Sequence, residues 1–458
     1  MSKVRTMEEM PLSRFHYKMF AYSSGSTFLD GYIVGIIAIA LSVIQKQIDL
    51  SVTMIGLLGT GTLAGMLIGG VFGGYLTDLL GRKKMFLLDM AVMLIVSILQ
   101  FFVNDPMQLV ILRFILGIAV GADYPIAGAL MTEFSPAKNR GSLLGGLNGL
   151  WYIGYASSNL VGYLMVSIGD TSWRWMLASS AVPVLLMLVS RLNMPESPRW
   201  LASKGREKEA NAIVQKIFGE NVIMSAEPET KEKTTYLDMF RNGNGKLVFF
   251  VTAFYSLQVL PLYGINTYIP EILEKFGFAN GTREYLGAAI LNIIYLAGLL
   301  PALRLVEKYG RRPTIIWPFL ICSIALILLG ATSGLKMPFV FILALFVIYG
   351  SVNNAMGAHC WIYPFELFPT NIRGTAGGFT TGMARIASSI GTFFSPAIMA
   401  NYGLAPTLYI CGAVLFIGFL VCLFMAPETK NMSLTEASAL NKSGNQEKES
   451  ISLNKMMN

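Results

Sequence analysis

Four ionisable side chains stand inside long apolar stretches of this sequence: Asp30, Arg113, Asp123 and Arg385. An ionised group at the centre of a bilayer costs several kcal/mol, from about 2.5 kcal/mol upward. Residues held at that cost are candidates for chemistry. Two carboxylates at one depth can share or exchange a proton, because like charges in a poorly hydrated site oppose double ionisation. A guanidinium on the same helix as one of them supplies a counter-charge that protonation would release. Asp30 and Asp123, with Arg113, are therefore read as a proton-coupling set; the competing reading is permanent structural pairing. Arg385 carries a planar fork that suits carboxylate or phosphate. It reads as a ligand for an anionic substrate, against the alternative of a pair with an acid on another helix.

These residues need elements that cross a membrane. About 20 apolar residues span a bilayer as a helix. Twelve such segments can be drawn: 19–44, 54–77, 85–103, 107–131, 142–168, 173–194, 247–272, 285–306, 314–332, 338–362, 374–400 and 405–426. Asp30 falls 11 residues into the first, about 16 Å from its start, and Asp123 lies about 12 Å from the end of the fourth. The fourth segment runs in the opposite sense, so the two carboxylates reach nearly one depth. Arg113 stands about 15 Å further outward. Asp89 falls near the inner end of the third segment and reads as solvated anchoring.

Composition agrees with membrane residence. Of 458 residues, 54% are hydrophobic and only 14% charged, against about 25% charged in soluble domains. Soluble enzymes, disordered scaffolds and secreted disulfide domains are excluded. Cys322, Cys360, Cys411 and Cys422 all lie in apolar stretches and read as buried thiols. No P-loop, catalytic triad or metal-ligand cluster appears, so no cofactor, metal or enzymatic activity is expected.

The net charge of +8 has a place in this scheme. With the N-terminus inside, 28 of the 35 Lys and Arg residues fall in cytoplasmic segments, ten of them in 191–246. This asymmetry follows the positive-inside rule. It needs no nucleic-acid partner and implies that both termini are cytoplasmic. The polar leader 1–18 lacks a cleavage site, so the first segment is expected to be a retained helix.

Three motifs recur at nearly one offset. Asp78-Leu-Leu-Gly81-Arg82-Lys83 pairs with Glu307-Lys-Tyr-Gly310-Arg311-Arg312, and Glu133 to Arg140-Gly141 pairs with Glu366 to Arg373-Gly374. Pro195-Glu196-Ser197 pairs with Pro427-Glu428-Thr429. Recurrence in register indicates two six-helix halves of like topology. The expected organisation is a leader 1–18, a bundle 19–195, a charged linker 196–246 with room for short amphipathic helices, a bundle 247–427 and a polar tail 428–458. Acids and bases at helix ends can bridge neighbouring helices by charge-assisted hydrogen bonds. Asp78, Gly81, Arg82, Glu133, Arg140, Glu307, Arg311, Glu366 and Arg373 are accordingly expected to form a cytoplasmic latch, with simple positive-inside anchoring as the alternative.

With these motifs in view, the chain resembles the major facilitator superfamily and its sugar-porter-like branch. Gly74-Tyr-Leu-Thr-Asp78-Leu-Leu-Gly81-Arg82-Lys83-Lys84 looks like that superfamily's loop signature. Arg113-x3-Gly117-x3-Gly121, Pro195-Glu-Ser-Pro-Arg-Trp-Leu201, Trp361-x4-Glu366-x2-Pro369 and Pro427-Glu-Thr-Lys430 are similar to the branch's remaining motifs. The resemblance implies an all-α membrane protein of 12 transmembrane helices in two six-helix halves, with a central cavity at their interface and alternating access. Gly264-Ile265-Asn266 resembles the branch's sugar-binding segment, but Leu260 and Pro261 stand where paired glutamines are expected, and Gln258 is the nearby glutamine. Phe28-Leu-Asp30-Gly-Tyr32 and Gly121-Ala-Asp123-Tyr-Pro125 resemble phosphate/proton symporters and, over the whole chain, bacterial metabolite/proton symporters.

The resulting expectation is a functional monomer in the plasma membrane, a bacterial inner membrane, that moves a small polar metabolite together with protons. An organic or sugar acid is the favoured substrate; a neutral sugar, phosphate or an aromatic acid are alternatives, as is a transporter-like sensor. Besides Arg385, the substrate ligands expected are Asn266, Gln258, Asn353, Trp361 and Asn292. His359 is read as a satisfied packing residue.

Overall fold

The computed structural model describes residues 5–6, 10–134, 140–219, 222–223, 239–241, 244–278, 283–335, 337–368, 372–430 and 432. They form helices, with one two-residue parallel ladder between β1 (Arg5–Thr6) and β2 (Val222–Ile223). The first half holds α1 (Arg14–Gln47), α2 (Val52–Leu80), α3 (Arg82–Leu99), α4 (Pro106–Phe134), α5 (Arg140–Met165), α6 (Ser172–Ala178) and α7 (Ala181–Arg191). Short helices α8 (Pro198–Ser203) and α9 (Glu207–Phe218) occupy the linker, as its charge pattern allows. The second half holds α10 (Asn244–Asn266), α11 (Ile269–Leu273), α12 (Arg283–Tyr309), α13 (Arg311–Thr332), α14 (Phe339–Gly357), α15 (His359–Leu367), α16 (Arg373–Tyr402) and α17 (Leu404–Met425). Among the described residues nine helices are long and apolar enough to cross a membrane.

Several predicted segments are pieced together from two helices. The sixth joins α6 to α7, the seventh breaks at Thr267-Tyr268 before Pro270, and the tenth steps from α14 to α15. Helix α1 also starts earlier than expected, inside the predicted leader. Its 34 residues extend about 51 Å, beyond a hydrocarbon layer of about 30 Å. Ser13 starts it: the Ser13 N–H and hydroxyl both reach His16 Nδ1, at 3.0 and 2.8 Å.

The packing falls into two compact units. One comprises Met1–Pro228, Ile265–Ile293 and Thr392–Ala397; the other comprises Glu229–Gly264, Ile294–Gly391 and Ile398–Asn458. The sequence duplication divides the chain at the linker, whereas the packing cuts α10, α12 and α16. The reason is local. In the first unit the Tyr268 hydroxyl donates to the Thr392 carbonyl at 2.9 Å, and a Cβ built on Gly59 of α2 would meet Tyr268 Oη at 2.7 Å. The Tyr155 hydroxyl of α5 donates to the Asn266 carbonyl at 3.3 Å. These contacts join Asn266–Leu273 and Thr392 to the first unit.

Glycines set the helix pairs that matter most in that unit. Helices α2 and α4 touch through Gly65, Gly69, Gly117 and Gly121, where an added Cβ would lie 2.0–2.3 Å from a backbone carbonyl of the other helix. Gly31 of α1 and Gly154 of α5 interlock in the same way, at 2.0 Å from the Trp151 and Phe28 carbonyls. Close backbone approach of this kind is what small residues permit in membranes. It places Trp151 beside Asp30. Large apolar side chains such as Tyr75 (70% exposed), Phe72 and Leu186 face outward, as expected where lipid replaces water.

Candidate functional site

Asp30 is buried on α1, and the Trp151 indole N–H donates to its Oδ2 at 2.9 Å. Asp123 is buried on α4, but its neighbours differ from those expected. The guanidinium facing it is Arg191, at the end of α7, with Nη1 3.7 Å from Asp123 Oδ1. Arg191 is fully buried; one nitrogen, Nη2, donates to the Tyr22 carbonyl and, at 2.7 Å, to the Ser26 hydroxyl. Its guanidinium carbon stacks 3.7 Å from the Phe86 ring centroid. Arg191, counted by charge placement among the cytoplasmic basic residues of 191–246, is instead a buried partner of Asp123 at the end of the sixth segment.

Asp89 changes category as well. It is 4% exposed rather than solvated, and its carboxyl lies within hydrogen-bond reach of Asp123. Met19, Tyr22, Met85, Phe86, Ile126, Leu130, Met194 and Val214 form the buried apolar cluster around this helix end. Part of that cover comes from the linker helix α9, which a span count cannot place. Arg113, on α4 about 15 Å from Asp123, is 1% exposed, and its Nε and Nη2 find no hydrogen-bond partner among the described residues.

The other unit carries a second polar set. The Gln258 amide of α10 donates to Asn353 Oδ1 of α14 at 2.6 Å, and the Cys360 thiol reaches Gln258 Oε1 at 3.7 Å. Arg385 is half-buried on α16 and donates from Nη1 to the Tyr263 hydroxyl at 3.2 Å. Asn292 turns back on its own helix and donates to the Ala288 carbonyl at 2.8 Å. Asn266 and Asn292 belong to the first unit; Gln258, Asn353 and Arg385 belong to the second. His359 is satisfied by Thr314 at 3.0 Å and the Met356 carbonyl at 3.2 Å, which fits a packing role.

The helix-end motifs show one arrangement twice. Glu196 accepts from the backbone N–H groups of Arg82 (3.0 Å) and Lys83 (3.2 Å), capping α3. Glu428 accepts from those of Arg311 (2.9 Å) and Arg312 (3.1 Å), capping α13. Free N–H groups and the helix dipole favour a carboxylate there. The preceding glycines have positive φ, 102° at Gly81 and 94° at Gly310, and a Cβ on either would meet the capping carboxylate at 2.5–2.6 Å. Arg311 also pairs with Glu366 at 2.9 Å, and the Thr429 hydroxyl donates to the other Glu366 oxygen. In the sequence Glu196 and Glu428 stand only as members of a repeated motif; their recurrence 232 residues apart is the signal that points to a shared role. The side chains of Asp78, Glu133, Arg140, Glu307, Trp361 and Arg373 lie outside the described residues.

Burial raises the Glu428 carboxyl, but four backbone N–H donors, led by that of Arg311, outweigh it and hold it below its ordinary value of 4.5. A depressed carboxylate stabilises the fold at pH above its unfolded value, and that contribution fades as pH falls through the folded value. Thermal unfolding between pH 6 and pH 3 should therefore fall more steeply for the wild type than for Glu428→Gln. Parallel curves would show that the cap is energetically silent.

A family model described as sugar (and other) transporter matches residues 18–440. The chain is 36% identical over 438 residues to the putative metabolite transport protein YaaU of Escherichia coli (strain K12), covering 96% of this chain and 98% of that one. It is 30% identical to the arabinose-proton symporter of Bacillus subtilis (strain 168), covering 90% and 92%. Among solved structures it is similar to an inward open conformation of the xylose transporter XylE from E. coli, with TM-score 0.77, 25% identity, and coverage of 93% and 99%. Extending from the first membrane helix to the last, these matches and the paired helix-end motifs agree, and the chain belongs to the sugar transporter family of the major facilitator superfamily, whose members are membrane transporters rather than enzymes.

Proposed function

We propose that this protein is a proton-coupled symporter that carries a small organic or sugar acid by alternating access, with both termini cytoplasmic. The observation that carries the substrate class is Arg385. A half-buried guanidinium at mid-length of α16, oriented by the Tyr263 hydroxyl, offers a bidentate site for a carboxylate. The Gln258–Asn353 amide pair supplies groups of the kind that bind hydroxyls. Asn266, Asn292 and Trp361 complete the proposed ligand set. In the other unit Asp30 and Asp123 are the proposed proton-coupling carboxyls. Arg113, buried with two nitrogens unsatisfied among the described residues, is the counter-charge that another conformation would engage. The Arg311–Glu366 pair and the Glu196 and Glu428 caps form the proposed latch.

Thermal stabilisation of the purified protein by galacturonate, gluconate, xylose and myo-inositol tests this reading. The two acids should stabilise the wild type. Arg385→Lys should weaken them about 10- to 100-fold, since a hydrogen bond to a charged group contributes about 1.5–3 kcal/mol. Its yield of folded protein should change far less. The second reading, a neutral sugar, is favoured by the similarity to an arabinose-proton symporter; stabilisation by xylose or inositol alone would establish it instead. For Asp30, gradient-driven uptake with unchanged pH dependence in Asp30→Asn would remove it from the coupling set.

A further inference from the structure

Two carboxyls and one guanidinium are enclosed together where α1, α3, α4 and α7 meet. Asp89 and Asp123 lie within hydrogen-bond reach of each other, and Arg191 lies 3.7 Å from Asp123. All three are buried, at 4%, 2% and 0% exposure. The oxygens Asp89 Oδ2 and Asp123 Oδ1 have no donor among the described residues. Two ionised carboxylates cannot hydrogen-bond to each other, because both only accept. With a proton between them, one hydroxyl donates, and the cluster's formal charge falls from −1 to zero.

From this juxtaposition we infer that Asp89 and Asp123 hold one proton between them, with Arg191 as its fixed counter-charge. This deepens the symport reading and rests on it only for the claim that the proton is the transported one. Asp89 joins the coupling set, and Asp30, bonded to Trp151, does not carry this proton.

The groups around the pair bear the inference out. From α1 the Tyr22 carbonyl and Ser26 hydroxyl take Arg191's donors, Ser26 also reaches Asp123, and Lys18 lies over the Tyr22 ring at 5.6 Å. Asp30 stands one turn beyond Ser26, about 6 Å along α1. On α3 the Met90 N–H donates to Asp89 Oδ1 at 2.6 Å, and Arg82 and Lys83 begin the helix about 10 Å away. Arg113 is the other described charge on α4, ten residues before Asp123 and about 15 Å away. Among the described residues only Arg191, at the end of α7, is a cation in direct range, one positive charge for two acids. Release of the proton to water leaves both carboxylates facing one guanidinium, a state that favours either rapid reprotonation or separation of the helices. Loading and emptying would thus change the packing of α3 and α4.

Infrared difference spectroscopy on the full-length protein in detergent at pH 7.5 reads this directly, without a substrate. The wild type should show a protonated-carboxyl C=O band that is missing in Asp89→Asn and in Asp123→Asn, each of which leaves one acid paired with Arg191. Asp30→Asn should retain it. Loss of the band in Asp30→Asn alone, or no band in the wild type, would overturn the inference. If one Asn variant fails to fold, the other and the wild-type band still decide. A band that behaves as expected, in a protein whose solute uptake moves no protons, would leave the shared proton standing and refute the symport reading instead.

Discussion

Gly117→Val should be among the most destabilising single substitutions in this protein. A Cβ at Gly117 of α4 would lie 2.1 Å from the Thr62 carbonyl oxygen and 2.8–2.9 Å from two further backbone atoms of α2. No rotamer relieves a clash with backbone, so the two helices must part. Overpacking costs about 1–3 kcal/mol and occasionally more. Here separation also loosens the reciprocal contacts at Gly65, Gly69 and Gly121, which places the expected cost at about 3 kcal/mol or above. Helix association in a bilayer depends on such van der Waals contact, because lipid offers no hydrophobic penalty for parting. Gly149→Ala is the matched control: among the described residues a Cβ there meets nothing within 4 Å, and alanine favours the helix by about 1 kcal/mol. Unfolding in mixed micelles should separate the two variants clearly. Equal stability would mean that α2 and α4 are not packed this closely.

The second large effect concerns Arg191. Arg191→Leu removes the one cation that the described residues place in the Asp89–Asp123 cluster and takes the donor from the Tyr22 carbonyl and Ser26 hydroxyl. Breaking a buried pair costs about 3–5 kcal/mol, because an uncompensated charge remains. The stacking on Phe86 is lost as well. Asp123→Asn should cost much less, since Asp89 stays as counter-charge and the amide can donate to it. This asymmetry is the informative result. A basic residue acting only as a positive-inside anchor would predict little loss for Arg191→Leu, and equal losses for the two variants would argue against a two-acid, one-base cluster.

Much of the architecture is legible in the amino-acid sequence. Apolar stretches of about 20 residues, two-fold repetition of helix-end motifs and a one-sided distribution of Lys and Arg are local properties of a chain. The bilayer reads them in the same way for any packing. They specified the helical segments, the duplicated halves, and Asp30, Arg113 and Asp123 as buried charges, since an apolar helix carries its charges wherever it goes.

Partnership was not legible. Depth arithmetic along α1 and α4 brought Asp30 level with Asp123, but depth is one coordinate and says nothing of rotation about a helix axis. Tertiary packing turned Asp30 toward Trp151 through the Gly31–Gly154 contact, and turned Asp123 toward Asp89 and Arg191. Asp89 and Arg191 look like solvated helix-end charges in sequence; they are buried where α1, α3, α4 and α7 pack, with Phe86 stacked on the guanidinium and Tyr22 and Ser26 taking its donors. The sequence by itself determined which helices form and which charges they carry. Only the tertiary structure decided which of those charges meet, because that depends on contacts between residues far apart along the chain, 121 positions for Asp30 and Trp151 and 165 for Ser26 and Arg191.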